Sequence, residues 1–112
     1  MMYLDFEAGN KVYKLRLNTR NVIALEKQLG KNPMAIFGSD GSQMPTVSEM
    51  VAVLWASLQQ YQHNITMNDA YDIFDNYLAD NHTMIDFFPI LFDIYKVSGL
   101  IPRDKEENSE KN

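Results

Sequence analysis

The stretch Thr46-Val-Ser-Glu49 decides how most of this chain folds, because Thr66-Met-Asn-Asp69 and Thr83-Met-Ile-Asp86 repeat its pattern. Each stretch places a threonine three residues before an acidic residue. At the start of a helix, the threonine hydroxyl accepts a backbone N–H of the first turn, and the acid reaches back to the threonine N–H and the positive end of the helix dipole. The three stretches therefore predict three helix starts.

Apolar residues recur at helical spacing after each of these starts, and a further helix precedes them. Thr19 is the predicted N-cap of this first helix, and Gly30 ends it in the left-handed conformation that glycine tolerates. Pro33 opens one further turn, through residue 37. The spacing predicts the three later helices over 47–62, 67–79 and 84–98.

Residues 3–17 instead alternate between apolar and polar side chains, with Gly9-Asn10 in the middle. Period-two alternation interrupted by a two-residue Gly-Asn turn predicts a β-hairpin. In that hairpin, the acidic side chains of the first strand are expected to face basic ones on the second: Asp5 and Glu7 against Lys14 and Arg16. The predicted fold class is α+β, mainly α, with an N-terminal β-hairpin followed by about four helices.

Length and composition indicate the domain organisation. A chain of 112 residues is long enough for one domain, which we predict over residues 1–102. Residues 103–112 contain no apolar side chain, so they are predicted to form a disordered polar tail. The chain has no cysteine, which excludes disulfides, thiolate nucleophiles and zinc–sulfur sites.

Charge is distributed unevenly along the chain. Residues 1–31 carry six basic and three acidic side chains, whereas residues 32–102 carry one basic side chain, Lys96, and eight acidic ones. An acidic body repels nucleic acid and anionic membranes, and no apolar run approaches the ~20 residues that a membrane span needs. We expect neither partner and, since the N-terminus has no signal-peptide pattern, a cytoplasmic protein.

The same asymmetry predicts self-association. The basic hairpin of one copy can attract the acidic helices of another, and the side chains expected to take part are Lys11, Lys14, Arg16, Asp72 and Asp75. We therefore expect a homo-oligomer. Head-to-tail and two-fold arrangements both stay open.

Catalytic patterns are weak in this sequence. Asp69, Asp72 and Asp75 recur at every third residue, but they fall on the polar side of an amphipathic helix, which indicates a solvated face. His63 and His82 lack an accompanying nucleophile or a metal-ligand spacing. We expect a protein without enzymatic activity, cofactor or metal. The alternative that stays open is a metal-dependent enzyme that uses Asp69, Asp72 or His82.

The predicted helix 84–98 is apolar over more than half of its circumference. Such a helix is either buried on all sides or covered by a partner. The predicted partner-binding surface comprises Trp55, Phe87, Phe88, Phe92 and Tyr95. If these residues form the core instead, polar substitutions there will destabilise the fold rather than release a partner.

The order of several segments resembles the small tail assembly chaperones of long-tailed phages and prophages of Gram-positive bacteria. These segments are NTRNVIALEKQLGKNP (18–33), MAIFG (34–38), PTVSEMVAVLWAS (45–57), AYDIFDNYL (70–78) and IYKVSGL (94–100). The resemblance implies a non-enzymatic chaperone that binds the long tape measure protein and keeps it soluble during tail assembly. Tail tube protein, to which such chaperones give way, would be a further partner. Two other classes stay open, a structural tail tube or completion component and a generic small oligomeric adaptor.

Overall fold

The structure is a computed structural model that describes residues 2–103. Its element order is a two-stranded antiparallel hairpin followed by four α-helices, which confirms the predicted α+β, mainly α fold. The elements are β1 (Leu4–Ala8), β2 (Lys11–Leu15), α1 (Thr19–Leu29), a 3-10 helix (Pro33–Phe37), α2 (Val47–Ser57), α3 (Met67–Ala79) and α4 (Met84–Val97). The polar tail predicted over 103–112 lies outside the described residues except for Arg103, which donates a hydrogen bond to the Val97 carbonyl at 3.3 Å.

The hairpin forms around Gly9 and Asn10, whose φ angles are +60° and +63°. Two consecutive positive φ values give the turn whose twist matches that of the strands. This two-residue turn fixes the register, so Asp5 lies opposite Lys14 as predicted. Glu7, however, lies opposite Val12 rather than a basic residue, and the predicted pairing of Glu7 with the basic row is wrong.

Arg16 lies beyond the end of β2 and is held by its own chain. Its guanidinium donates to the carbonyl of Met2 at 2.7 Å and to the carbonyl of Val97 at 2.9 Å. These bonds tie the N-terminal end of the hairpin to the C-terminal end of α4. The Arg16 side chain therefore stabilises the fold, a role that the charge pattern did not indicate.

Residues in the segments that follow α2 and α3 hold the hairpin through its backbone groups. The Gln62 side-chain amide accepts from the Lys14 N–H at 2.9 Å and donates to the Lys14 carbonyl at 3.0 Å. At the turn, the Gly9 N–H donates to the Asp80 carboxylate at 2.8 Å. The apolar side of the hairpin, which includes Phe6 and Leu15, is buried against the helices of the same chain.

The three Thr-x-x-acid stretches begin α2, α3 and α4 as predicted. In each, the threonine hydroxyl accepts the backbone N–H of the acid three residues on, and that acid accepts the threonine N–H. Helix α1 is different, because its N-cap is Asn18, whose side chain accepts from the Asn21 N–H at 2.9 Å. The prediction of Thr19 as N-cap is wrong, since Thr19 is already the first helical residue.

Helix α2 ends at Ser57, five residues before the predicted end at 62. Side chains add bonds to the carbonyls of its last turn: the Ser57 hydroxyl donates to the Leu54 carbonyl, and the Gln59 amide donates to the Trp55 carbonyl at 2.8 Å. The same Gln59 amide also donates to the Ile65 carbonyl at 3.0 Å, which fixes the turn that follows. Helix α3 has the predicted bounds, and α4 ends one residue early and continues through Pro89.

One hydrophobic core joins the hairpin and all four helices. Helix α2 lies at its centre and is buried along most of its length. On one side of the core, Phe87 packs edge-to-face against Phe6 and Phe74, with ring centroids 5.7 and 5.2 Å apart. Within residues 2–103, none of the helices combines the length and apolarity needed to cross a membrane.

Candidate functional site

Two of the five predicted partner-binding residues belong to the core. Phe87 and Tyr95 are both 0% exposed. The Tyr95 hydroxyl donates to the Pro33 carbonyl at 2.9 Å, and burial, followed by the nearby Glu49 charge, raises the Tyr95 pKa. Placing Phe87 and Tyr95 on an exposed surface is therefore wrong, because the hairpin and the 3-10 helix cover the side of α4 that carries them.

The other side of α4 remains open to solvent. Phe88 and Phe92 are half-buried there, and Ile85 and Pro89 are exposed, with 70% of Ile85 accessible. The spacing of these residues, i, i+3, i+4 and i+7, places them along one side of the helix. We call Ile85, Phe88, Pro89 and Phe92 the α4 face.

Two side chains of the α4 face pack on the 3-10 helix beneath it. The ring of Phe37, which is buried, stacks on Phe92 with centroids 4.3 Å apart and meets Phe88 edge-on at 5.9 Å. Phe88 and Phe92 also contact each other at 5.2 Å. Aromatic side chains fixed in this way lose little conformational entropy when a partner covers them. The α4 face is thus a preformed apolar surface.

Trp55 lies elsewhere in the structure. It is half-buried on α2, one and two helical turns after Val51 and Val47 on the same side of that helix. Within the described chain, the ring contacts of Phe88 and Phe92 do not include Trp55. The five residues predicted as one surface therefore divide among the core, the α4 face and α2.

A cleft of about 470 Å³ opens between α1, α2 and α3. Its lining residues are Gln28, Val47, Ser48, Val51, Met67, Tyr71, Phe74 and Asp75. Val51 and Phe74 are buried, whereas Val47 and Tyr71 are 42% and 52% exposed. The cleft therefore has an apolar base, partly exposed apolar walls and one carboxylate. Sequence reasoning missed it, because its lining comes from three helices that only the tertiary fold brings together.

The predicted self-association residues occupy two regions. Lys11 and Lys14 are exposed on the hairpin, with Nζ 5.7 Å from the Tyr13 ring centroid and 4.9 Å from the Tyr3 ring centroid, respectively. Arg16 is half-buried and bound to backbone carbonyls. The acidic pair, Asp72 and Asp75, is exposed on α3. A contact through Lys11 and Lys14 stays a prediction.

Two of the residues considered as metal ligands, Asp69 and His82, have contacts within the chain. The Asp69 carboxylate accepts the Thr66 N–H at 2.9 Å, as part of the α3 start. The His82 ring stacks on Tyr77 with centroids 4.3 Å apart. Burial, followed by the charge of Asp86, raises the pKa of Tyr77. Among residues 2–103, no three histidine or acidic side chains converge in a group that could hold a metal ion.

Comparison with known proteins places the chain in one family. Residues 4–112 match a family described as a family of unknown function, DUF6096. The chain belongs to this family. No curated protein and no solved structure matches this DUF6096 chain.

Proposed function

We propose that this protein is a phage tail assembly chaperone without enzymatic activity, which binds the tape measure protein and keeps it soluble during tail assembly. The observation that carries the proposal is the α4 face. It presents Ile85 and Pro89 to solvent beside the half-buried rings of Phe88 and Phe92, which pack on the outside of the core. The segment resemblance to tail assembly chaperones supports the same function.

The chemistry of the α4 face suits an apolar helical client. An amphipathic helix is recognised when its apolar side lies against a row of apolar side chains. From Ile85 to Phe92 the row extends about 10 Å along α4, at 1.5 Å per residue, so one copy covers about two turns of a client helix. A long client would therefore need many copies, each shielding a short apolar segment from water.

A structural tail tube or completion component would be expected to contain more strand. Within the described part of the chain, the strands are β1 and β2, which pair only with each other. This supports the chaperone over the tail tube alternative. A generic oligomeric adaptor differs from the chaperone in its client, so co-expression with a tape measure protein separates these two.

The test is co-expression with the tape measure protein of the same phage, followed by measurement of its soluble fraction and co-purification. We expect Ile85→Lys to lower co-purification about tenfold or more, because it removes one buried aliphatic contact. Val12→Lys is the matched control, since Val12 is 61% exposed on the hairpin and Ile85 is 70% exposed on α4. We expect the control to bind normally.

Two outcomes would contradict the proposal. One is a tape measure protein that is equally soluble with and without this protein. The other is equal co-purification with the Ile85→Lys variant and the Val12→Lys variant, which would exclude the α4 face as the client surface. Unchanged circular dichroism and melting temperature should accompany both variants, because both side chains are exposed in the folded protein.

A further inference from the structure

Helix α1 carries an apolar residue between two basic ones on its outer side. Ile23 is 48% exposed, and Arg20 and Lys27, three residues before and four residues after it, are exposed beside it. The core-facing residue Leu25 lies on the opposite side of the helix. Glu26 also borders this surface, but Arg20 and Lys27 outnumber it, so the net charge of the surface is positive. We call Arg20, Ile23 and Lys27 the α1 face.

The cleft is apolar and acidic, and is therefore complementary to the apolar and basic α1 face. Its apolar base and walls are accompanied by the carboxylate of Asp75, and Asp72 lies on α3 one helical turn earlier. Residues 32–95 contain no lysine or arginine. Lys31, on the α1 side, is bound to Glu49 at 2.6 Å. A basic surface with one aliphatic side chain therefore matches the cleft in both polarity and charge.

The α1 face cannot enter the cleft of its own chain. Gln28 lines the cleft, and Ile23 lies five positions earlier on the same helix, about 140° around the helix axis at 3.6 residues per turn. The α1 face and the cleft therefore point in different directions from one rigid helix. Contact between them requires two molecules.

We propose that the cleft receives the α1 face of a second copy of this chain. Ile23 of one copy would contact Val47 and Tyr71 of the next, while Lys27 and Arg20 would approach Asp75 and Asp72. Because the two surfaces differ, the contact is head-to-tail and leaves one cleft and one α1 face open at the ends of a pair. This contact does not depend on the identity of any client.

The hairpin also carries basic side chains beside an exposed aliphatic one, Val12, but these basic side chains have contacts within their own chain. The ammonium groups of Lys11 and Lys14 lie over the rings of Tyr13 and Tyr3. Arg16 is held by the carbonyls of Met2 and Val97, so it is not available to a partner. Arg20 and Lys27 are exposed on either side of Ile23 along α1. Desolvation of Ile23 and attraction between opposite charges then act at the same place.

The first test is sedimentation of the full chain at low and high salt across a range of concentrations. We expect concentration-dependent association that weakens with salt, because the charges remain partly exposed. Ile23→Glu should weaken association about tenfold or more with unchanged circular dichroism, since Ile23 faces away from the core. A wild-type chain that stays monomeric at low salt, or an Ile23→Glu variant that associates normally, would overturn the proposal.

The second test exchanges charges between the two surfaces. Lys27→Glu and Asp75→Lys should each weaken association alone. Combining the two substitutions in one chain should restore it, because the carboxylate introduced on the α1 face of one copy then meets the ammonium group introduced in the cleft of the next. The Lys11→Glu/Asp75→Lys double variant is the matched control, and its association should stay weak. Recovery in the control double variant, with none in the Lys27→Glu/Asp75→Lys double variant, would assign the contact to the hairpin and exclude the α1 face.

Discussion

The hydroxyl of Tyr95 donates a hydrogen bond to the carbonyl oxygen of Pro33, which lies 62 residues earlier in the chain. This bond joins α4 to the 3-10 helix inside the core, where Tyr95 is 0% exposed. It holds the backbone beside Phe37, the residue on which Phe92 stacks. The geometry of the α4 face therefore depends on a buried bond behind it.

Tyr95→Phe should lower the free energy of unfolding by about 1–3 kcal/mol, because it leaves the buried Pro33 carbonyl without its donor. Tyr71→Phe is the matched control, since 52% of Tyr71 is exposed, and we expect a change below about 0.5 kcal/mol. Urea denaturation measures both. Equal stability of the two variants would show that the Tyr95 hydroxyl bond contributes nothing measurable.

Asn18→Ala should cost about 1 kcal/mol of stability, because it removes the side chain that accepts the Asn21 N–H at the start of α1. Thr19→Ala should cost little or nothing, since Thr19 is the first helical residue and alanine is the better helix former. Thermal unfolding of the two variants compares them directly. A larger loss of stability in Thr19→Ala than in Asn18→Ala would show that Thr19 is the N-cap residue.

Gly9→Ala should destabilise the protein by about 1–2 kcal/mol, since Gly9 has a φ of +60°. A Cβ there would also lie 3.1–3.2 Å from atoms of the Asn76 side chain. Gly41→Ala is the control for backbone strain alone, because φ is +81° and the site is open. We expect Asn76→Ala to recover part of the loss in Gly9→Ala, as a double-mutant cycle would measure.

The stability contributed by Glu49 should depend on pH. Burial alone would raise the pKa of Glu49, but hydrogen bonds from Lys31 and from the Thr46 N–H, with the Lys31 charge, outweigh it and hold the pKa below the usual 4.5. A carboxylate whose pKa is lowered by folding stabilises the protein above its unfolded pKa, and this contribution is lost as the pH falls through the folded value.

Glu49→Gln should therefore be less stable than the wild type by about 1 kcal/mol at neutral pH, and the difference should narrow as the pH falls below the usual glutamate range. Lys31→Gln should reduce the pH dependence of stability that Glu49 contributes, because Lys31 supplies both a hydrogen bond and a charge to the Glu49 carboxylate. Urea denaturation at several pH values measures the free energy of unfolding of the wild type and of both variants. A difference that stays constant down to about pH 3 would contradict the assignment.

The helix starts could be predicted because capping is local chemistry. Thr46, Thr66 and Thr83 find their partners only three residues away, so four-residue patterns carry the information. The end of α2 could not be predicted in this way. It depends on the Gln59 amide bonding to Ile65 and on the Ser57 carbonyl accepting the Arg16 N–H at 3.0 Å, which are contacts of the tertiary fold.

The candidate surfaces could be predicted only in part. The apolar arc of α4 was visible in the sequence, but its division between core and surface depends on where Phe6 and Phe37 pack. These contacts bury Phe87 and leave Phe88 and Ile85 accessible. The cleft combines residues of three helices, and periodicity within one helix carries no information about such a combination.

The bonds between Gln62 and the backbone of Lys14 also affect how this protein behaves at high concentration. A strand at the edge of a sheet presents unpaired N–H and C=O groups that another chain can extend into a continuous β-ribbon, the route to amyloid-like aggregates. At Lys14 both groups are occupied by one side-chain amide, which stands where a third strand would add. A strand of a second copy therefore cannot pair with Lys14 unless it first displaces the Gln62 amide.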